Sequence, residues 1–114
     1  MNDEAVKILI PSENISADLA LLRDSADDFG RLCGAIKASE HLIKQYKAQA
    51  FIEATGTVAE REAKAQLDQR VARAQGDNEN AEADFKTLWA KRKAAEIEIE
   101  AWRTWSASNR AQMV

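Results

Sequence analysis

A chain of 114 residues with 46% apolar and 31% charged side chains has the balance of one folded, water-facing domain, not of a disordered segment. Four Gly and one Pro against 22 Ala exclude a sandwich or barrel, which needs a turn roughly every ten residues, and favour long helices. A single Cys excludes an internal disulfide, one Cys with one His argues against a zinc site within the chain, and a net charge of −3 disfavours strong nonspecific duplex binding.

Residues 1–14 read as an arm. Val6, Ile8 and Ile10 alternate with Lys7 and Leu9 until Pro11, which suits a short strand or an extended segment packed on a neighbour. The apolar run of the arm, Ile8 to Ile10, is too short to cross a bilayer or to form a signal-peptide core. A first long helix is expected over 15–55. Ile15, Leu19, Leu22, Ala26, Phe29, Cys33 and Ile36 step 4-3-4-3, the spacing of a coiled-coil seam. Asn14 or Ser16 is placed to cap it, with Asp18 favourable to the helix dipole. Beyond Ile36 the strict seam meets Glu40 and Lys47, and the apolar face widens to Leu42, Ile43, Tyr46, Ala50, Phe51 and Ile52. Gly30 and Gly34 share one face, which fits either close approach of another helix or simple tolerance.

Gly56 suits a left-handed helix end, and Thr57-Val58-Ala59-Glu60 is a capping box opening a short corner helix over 57–65. It lacks the further glycines and the lysine of a phosphate loop. A second long helix is expected over 66–111. Its seam, Leu67, Val71, Ala74, Asn78, Ala81, Phe85, Leu88, Arg92, Ala95, Ile99 and Trp102, keeps phase across Gly76-Asp77, so the turn-like residues there should not break it. The expected fold is therefore all-α: a long antiparallel helical hairpin with coiled-coil seams and a short corner helix, assembling into an oligomeric bundle or ring. Asn78 on the seam and the flank Tyr46, Phe51 and Ile52, with Phe85 and Trp102, are the expected oligomer interface.

No catalytic constellation emerges. His41 has no Ser or Cys at a helical spacing, and Cys33 sits at a small-residue seam position. Glu96, Glu98 and Glu100 alternate at i, i+2 and so cannot share one site among themselves. The chain reads as a non-enzyme with no cofactor, metal or small-molecule substrate. Its charge is uneven. Residues 1–84 carry 10 basic and 16 acidic side chains, whereas 85–114 carry 6 basic and 3 acidic ones together with all three Trp. Lys86, Trp89, Lys91, Arg92, Lys93, Arg103, Trp105 and Arg110 are thus candidates for single-stranded nucleic acid, cations for phosphates and rings for bases. The same pattern also suits a helix with solvated Lys and Arg whose Trp residues pack in a core.

Gly56-Thr57-Val58-Ala59-Glu60-Arg61-Glu62-Ala63-Lys64-Ala65, Ile97 to Thr104 and Asn109-Arg110-Ala111 resemble small helical proteins from the early or recombination region of tailed bacteriophages. Some of these are recombination mediators. The resemblance implies an oligomeric accessory factor in the host cytoplasm that binds single-stranded DNA or helps to load a recombinase or annealing protein, with Arg103, Arg110 and the Trp positions as its contacts. Two other readings remain open on the residues: a protein-only adaptor or inhibitor of a host protein, and a structural coiled coil without a ligand.

Overall fold

The structure is a computed structural model, and it describes residues 10–112. Every element among them is an α-helix: α1 (Ser12–Asp24), α2 (Ala26–Glu53), α3 (Val58–Gln66) and α4 (Gln69–Gln112). Of the expected arm, Val6 to Leu9 lie outside the described residues, while Ser12 to Asn14 already belong to α1. Pro11 takes the cap position, and the backbone N–H groups of Asn14 and Ile15 donate to its carbonyl. Neither Asn14 nor Ser16 caps the helix, and Asp18 lies beyond the first turn. The chain divides into two compact units, one of residues 1–27 and 88–114, the other of residues 28–87.

The seam of the first half differs from the expected one. The expected first long helix is two helices, divided at Ser25, whose backbone stays near the helical region at φ −94°, ψ −1°. Leu19 and Ala26 are exposed, while Ser25 is buried. Ile15, Asp18, Leu22, Ser25, Phe29, Leu32, Ile36, Ser39, Ile43, Tyr46 and Ala50 form a continuous row of buried or half-buried positions, with Ala20, Leu21 and the expected Cys33 half-buried beside it. The row steps 3-4 without a break as far as Ala50, so Glu40 and Lys47 do not interrupt the seam. One heptad row is apolar throughout. The other holds Asp18, Ser25, Leu32, Ser39 and Tyr46, and its polar members hide the pattern.

In the unit of residues 28–87, α2 and α4 run antiparallel. Phe29 stacks on Phe85 with ring centroids 5.0 Å apart. Farther along, Asn78 Nδ2 donates to Ser39 Oγ at 2.9 Å and to the Ile36 carbonyl at 3.3 Å. Arg70 Nη2 meets Glu53 at 2.9 Å. Val71 is fully buried, which contributes about 1.5–3 kcal/mol, and Ala50, Ala65 and Ala74 are buried in the same unit. Gly76 is helical, so α4 runs on without a break.

The corner forms as its local chemistry dictates. Gly56 has φ +114°, a conformation that L side chains rarely adopt, and the Glu60 carboxyl reaches back over the place a Cβ would occupy. Thr57 Oγ1 accepts from the Glu60 amide at 3.2 Å. Cations of α3 close the end of α2: Arg61 Nε donates to the Phe51 carbonyl and Lys64 Nζ to that of Thr55. At the other end of α3, Asp68 Oδ1 accepts from the backbone N–H of Arg70 at 2.8 Å and caps α4. The second long helix therefore begins at Gln69. Leu67 falls outside its seam, at the end of α3, and is 83% exposed.

In the unit of residues 1–27 and 88–114, α1 lies antiparallel to the C-terminal half of α4. Ile15 on α1 and Ala95 and Ile99 on α4 are its buried apolar side chains. Arg92 Nη1 donates to the Leu22 carbonyl at 2.7 Å and to Ser25 Oγ at 2.8 Å, where α1 ends. A cation at a helix C-terminus satisfies open carbonyls and complements the helix dipole.

Candidate binding surface on the fourth helix

Each residue of an α-helix turns the side chain by about 100°. Along α4 this rotation divides the expected cationic site into separate rows. Trp89, Lys93 and Ile97 follow one another at four-residue steps on a row away from the seam. Trp89 is 51% exposed and Ile97 61%. Lys93 is exposed and lies 3.8 Å from Glu96, a weak ion pair that leaves the ammonium in water. Lys91 lies on another side of the helix, the side shared by Trp105, which is half-buried. Arg92, Arg103 and Arg110 form a third row near the seam. Arg92 is half-buried and holds the end of α1. Arg103 meets Glu100 at 3.5 Å, and Arg110 is exposed. Lys86, exposed on α4, belongs to the other compact unit.

The residues expected at an oligomer interface are also divided. Asn78 and Phe85 face α2 of the same chain. Tyr46 is a half-buried seam residue with the Arg70 guanidinium 5.9 Å from its ring centre. Phe51 is covered by Arg61, 4.2 Å above the ring. Trp102 is half-buried on the α4 seam, and Ile52 stands 73% exposed. Around Gly30 and Gly34 no atom of another described helix comes within 4 Å of where a Cβ would stand, so no close helix contact among the described residues explains them.

Sequence spacing along one helix missed a carboxyl pair assembled across two. Glu98 of α4 meets Asp18 of α1, and the Glu98 carboxyl is pushed above its ordinary value of 4.5, first by its hydrogen bond to Asp18, then by burial and by the Asp18 charge. Asp18 Oδ2 is buried without a hydrogen-bond donor. The available signal was position: Asp18 occupies the polar heptad row that also holds Ser25 and Ser39. In the other unit, Asp68 is held below its ordinary 3.8, chiefly by its hydrogen bonds from Arg70, and Arg70 is raised in turn by Asp68 and Glu53.

Among the described residues no group of three or more His, Cys, Asp or Glu is placed to hold a metal ion, and no helix is long and apolar enough to cross a membrane. A groove of about 270 Å³ between α2 and α3, lined by Lys47, Phe51, Glu62 and Gln66, contains no nucleophile with a base. No protein-family model, curated protein or solved structure matches this chain.

Proposed function

We propose that this chain is a non-catalytic accessory factor that contacts single-stranded DNA through the Trp89 row of α4. In this reading it acts as an oligomer in the bacterial cytoplasm during phage DNA recombination, helping to load a recombinase or annealing protein. The observation that carries the proposal is the open indole of Trp89 on the same helix row as the solvated Lys93 ammonium. Base stacking on an aromatic ring is worth about 1–3 kcal/mol, and each phosphate neutralised adds salt-sensitive affinity. A single protomer offers few such contacts, so several copies in an assembly supply the affinity by multivalency.

The test is a fluorescence-anisotropy titration with labelled single-stranded DNA at two salt concentrations, with Trp emission followed in parallel. Binding should weaken as salt rises, and indole emission should be quenched on binding. Trp89→Ala should lower affinity about tenfold, in line with the loss of one stacked base. Lys93→Glu, on the same row, should also lower it and flatten the salt dependence. Arg92 is left intact, because its guanidinium holds the end of α1. Unchanged affinity in both variants sinks the proposed surface.

A second reading has its own observation. Ile97, exposed on the row of Trp89, gives that face an apolar character suited to a host protein. An adaptor of this kind binds no DNA in the same titration and loses its protein partner on Ile97→Glu.

A further inference from the structure

The face that α1 turns to α4 is the less apolar of two. Asp18 is half-buried and Ser25, at the end of α1, is buried, and Asp18 Oδ2 is shut away without a hydrogen-bond donor. One position farther along the chain, about 100° round the helix, Leu19 stands 50% exposed and Ala26 is exposed as well. Ile15 and Leu22 border both rows and serve either face. A roll of α1 by about 50° exchanges the rows: it covers Leu19 and Ala26 and returns the Asp18 carboxyl to water. Burial of apolar surface and hydration of an unpaired polar atom both favour that roll. A specific contact must therefore oppose it.

The contact is at Ser25. Its hydroxyl donates to the Leu21 carbonyl, four residues back. Arg92 Nη1 of α4 donates to the Ser25 oxygen at 2.8 Å and to the Leu22 carbonyl at 2.7 Å. A roll of α1 turns Ser25 away and takes the serine oxygen from the guanidinium, which removes a charge-assisted hydrogen bond. The same set of bonds recurs 14 residues away in the other unit. There the Ser39 hydroxyl donates to the Ala35 carbonyl, again four residues back. Asn78 Nδ2 donates to the Ser39 oxygen and to the Ile36 carbonyl. Twice, then, one side-chain nitrogen of α4 reads a buried serine together with the carbonyl three residues before it.

We propose that Arg92 selects the face of α1: by holding Ser25, it keeps the polar row of Asp18 and Ser25 against α4 and leaves the apolar row of Leu19 and Ala26 open. In an antiparallel pair the rows one position past the seam lie on the same flank of both helices. Trp89, one position past the seam residue Leu88, is on that flank. The selected face thus leaves Leu19, Ala26 and Trp89 together in solvent, whereas the rolled face closes over Leu19 and Ala26. The inference concerns packing within this unit and holds whether or not Trp89 meets DNA.

Thiol alkylation of the whole chain reads the face directly. In a Cys33→Ser background, Leu19→Cys reports the apolar row. Ala17→Cys, an exposed position on the far side of α1, is the control. With Arg92 and Ser25 in place, Leu19→Cys should react nearly as fast as Ala17→Cys. Ser25→Ala with Arg92→Leu removes donor and acceptor together and leaves neither unpaired. In that paired variant Leu19→Cys should react several-fold more slowly, and the Ala17→Cys rate should not change. Equal Leu19→Cys rates with and without the pair overturn the proposal. Slow reaction of Leu19→Cys while Arg92 and Ser25 are intact overturns it too, and that measurement needs no change at either residue. Circular dichroism accompanies each variant. Loss of helix in the paired variant would show that Arg92 holds the fold together instead of choosing a face, and is a third outcome against the proposal.

Discussion

Arg92 occupies a position on α4 where a coiled-coil seam calls for an apolar side chain. Its guanidinium is accommodated there because Ser25 and the Leu22 carbonyl, 67 and 70 residues away in sequence, both accept from it. Ser25 can turn its oxygen inward because its own hydroxyl donates to the Leu21 carbonyl. Arg92→Met keeps the stem and removes the donors, leaving a half-buried carbonyl and hydroxyl without them. Loss of one partner of a buried hydrogen bond costs about 1–3 kcal/mol. The urea midpoint should fall accordingly, whereas Lys91→Met, an exposed change, should stay within about 0.5 kcal/mol. Equal midpoints for the two variants would show that the Arg92 contact contributes nothing. For the same reason, reversing the charge of Arg92 in a DNA-binding assay would disturb α1 and any binding surface together.

At the scale of elements, legibility depended on how local the cause is. The corner was readable because Gly56, Thr57 and Glu60 act within five residues of one another, and the capped turn forms as the T-x-x-E pattern requires. The seam of α4 was readable from Val71 onward because its positions are mostly apolar, and its phase carried the helix through Gly76. The seam of α1 and α2 was read correctly at Ile15, Leu22, Phe29 and Ile36 and misread at Leu19 and Ala26. Leu19 and Ala26 look like better seam residues than Asp18 and Ser25 unless Glu98 and Arg92 are already known to face them. Register between antiparallel helices is a non-local quantity, so a polar heptad row becomes intelligible only with its partners in place. The candidate DNA surface was legible as a cluster in sequence, but not in its division around the helix, because residues adjacent in the chain point about 100° apart. Two glycines test how far local chemistry controls the elements. Gly56→Ala should destabilise by about 1 kcal/mol or more, since φ is +114° and Glu60 fills the space. Gly76→Ala should stabilise by about 0.4–1 kcal/mol, because Gly76 lies inside α4 with open space at its Cβ. Thermal melts of both variants check the pair, and a shift of the same sign in each would break the argument.

Across the whole molecule, the two compact units should respond to acid in opposite senses, because Asp68 is held below its ordinary value and Glu98 is pushed above its own. In the unit of residues 28–87, Asp68 accepts from the Arg70 amide and guanidinium, and its carboxyl is held below 3.8 by those bonds. A depressed carboxyl stabilises the fold above its unfolded pKa. That contribution is therefore complete above 3.8 and is lost as pH falls through the lower folded value. In the other unit, the raised Glu98 contributes fully below 4.5 and is lost as pH rises. Both contributions are complete together only between the two unfolded values, near pH 4, and a single melting midpoint would average them. Amide exchange resolves them, since protection is local to each cooperative segment. Amides in the first turns of α4 should lose protection below about pH 3.8, while those of α1 are retained there. Asp68→Asn keeps a capping oxygen but removes the titrating charge, so it should abolish the acid sensitivity of α4 and leave the profile of α1 unchanged. Loss of protection in both segments on the same side of pH 4 would mean that other carboxyls control the pH response.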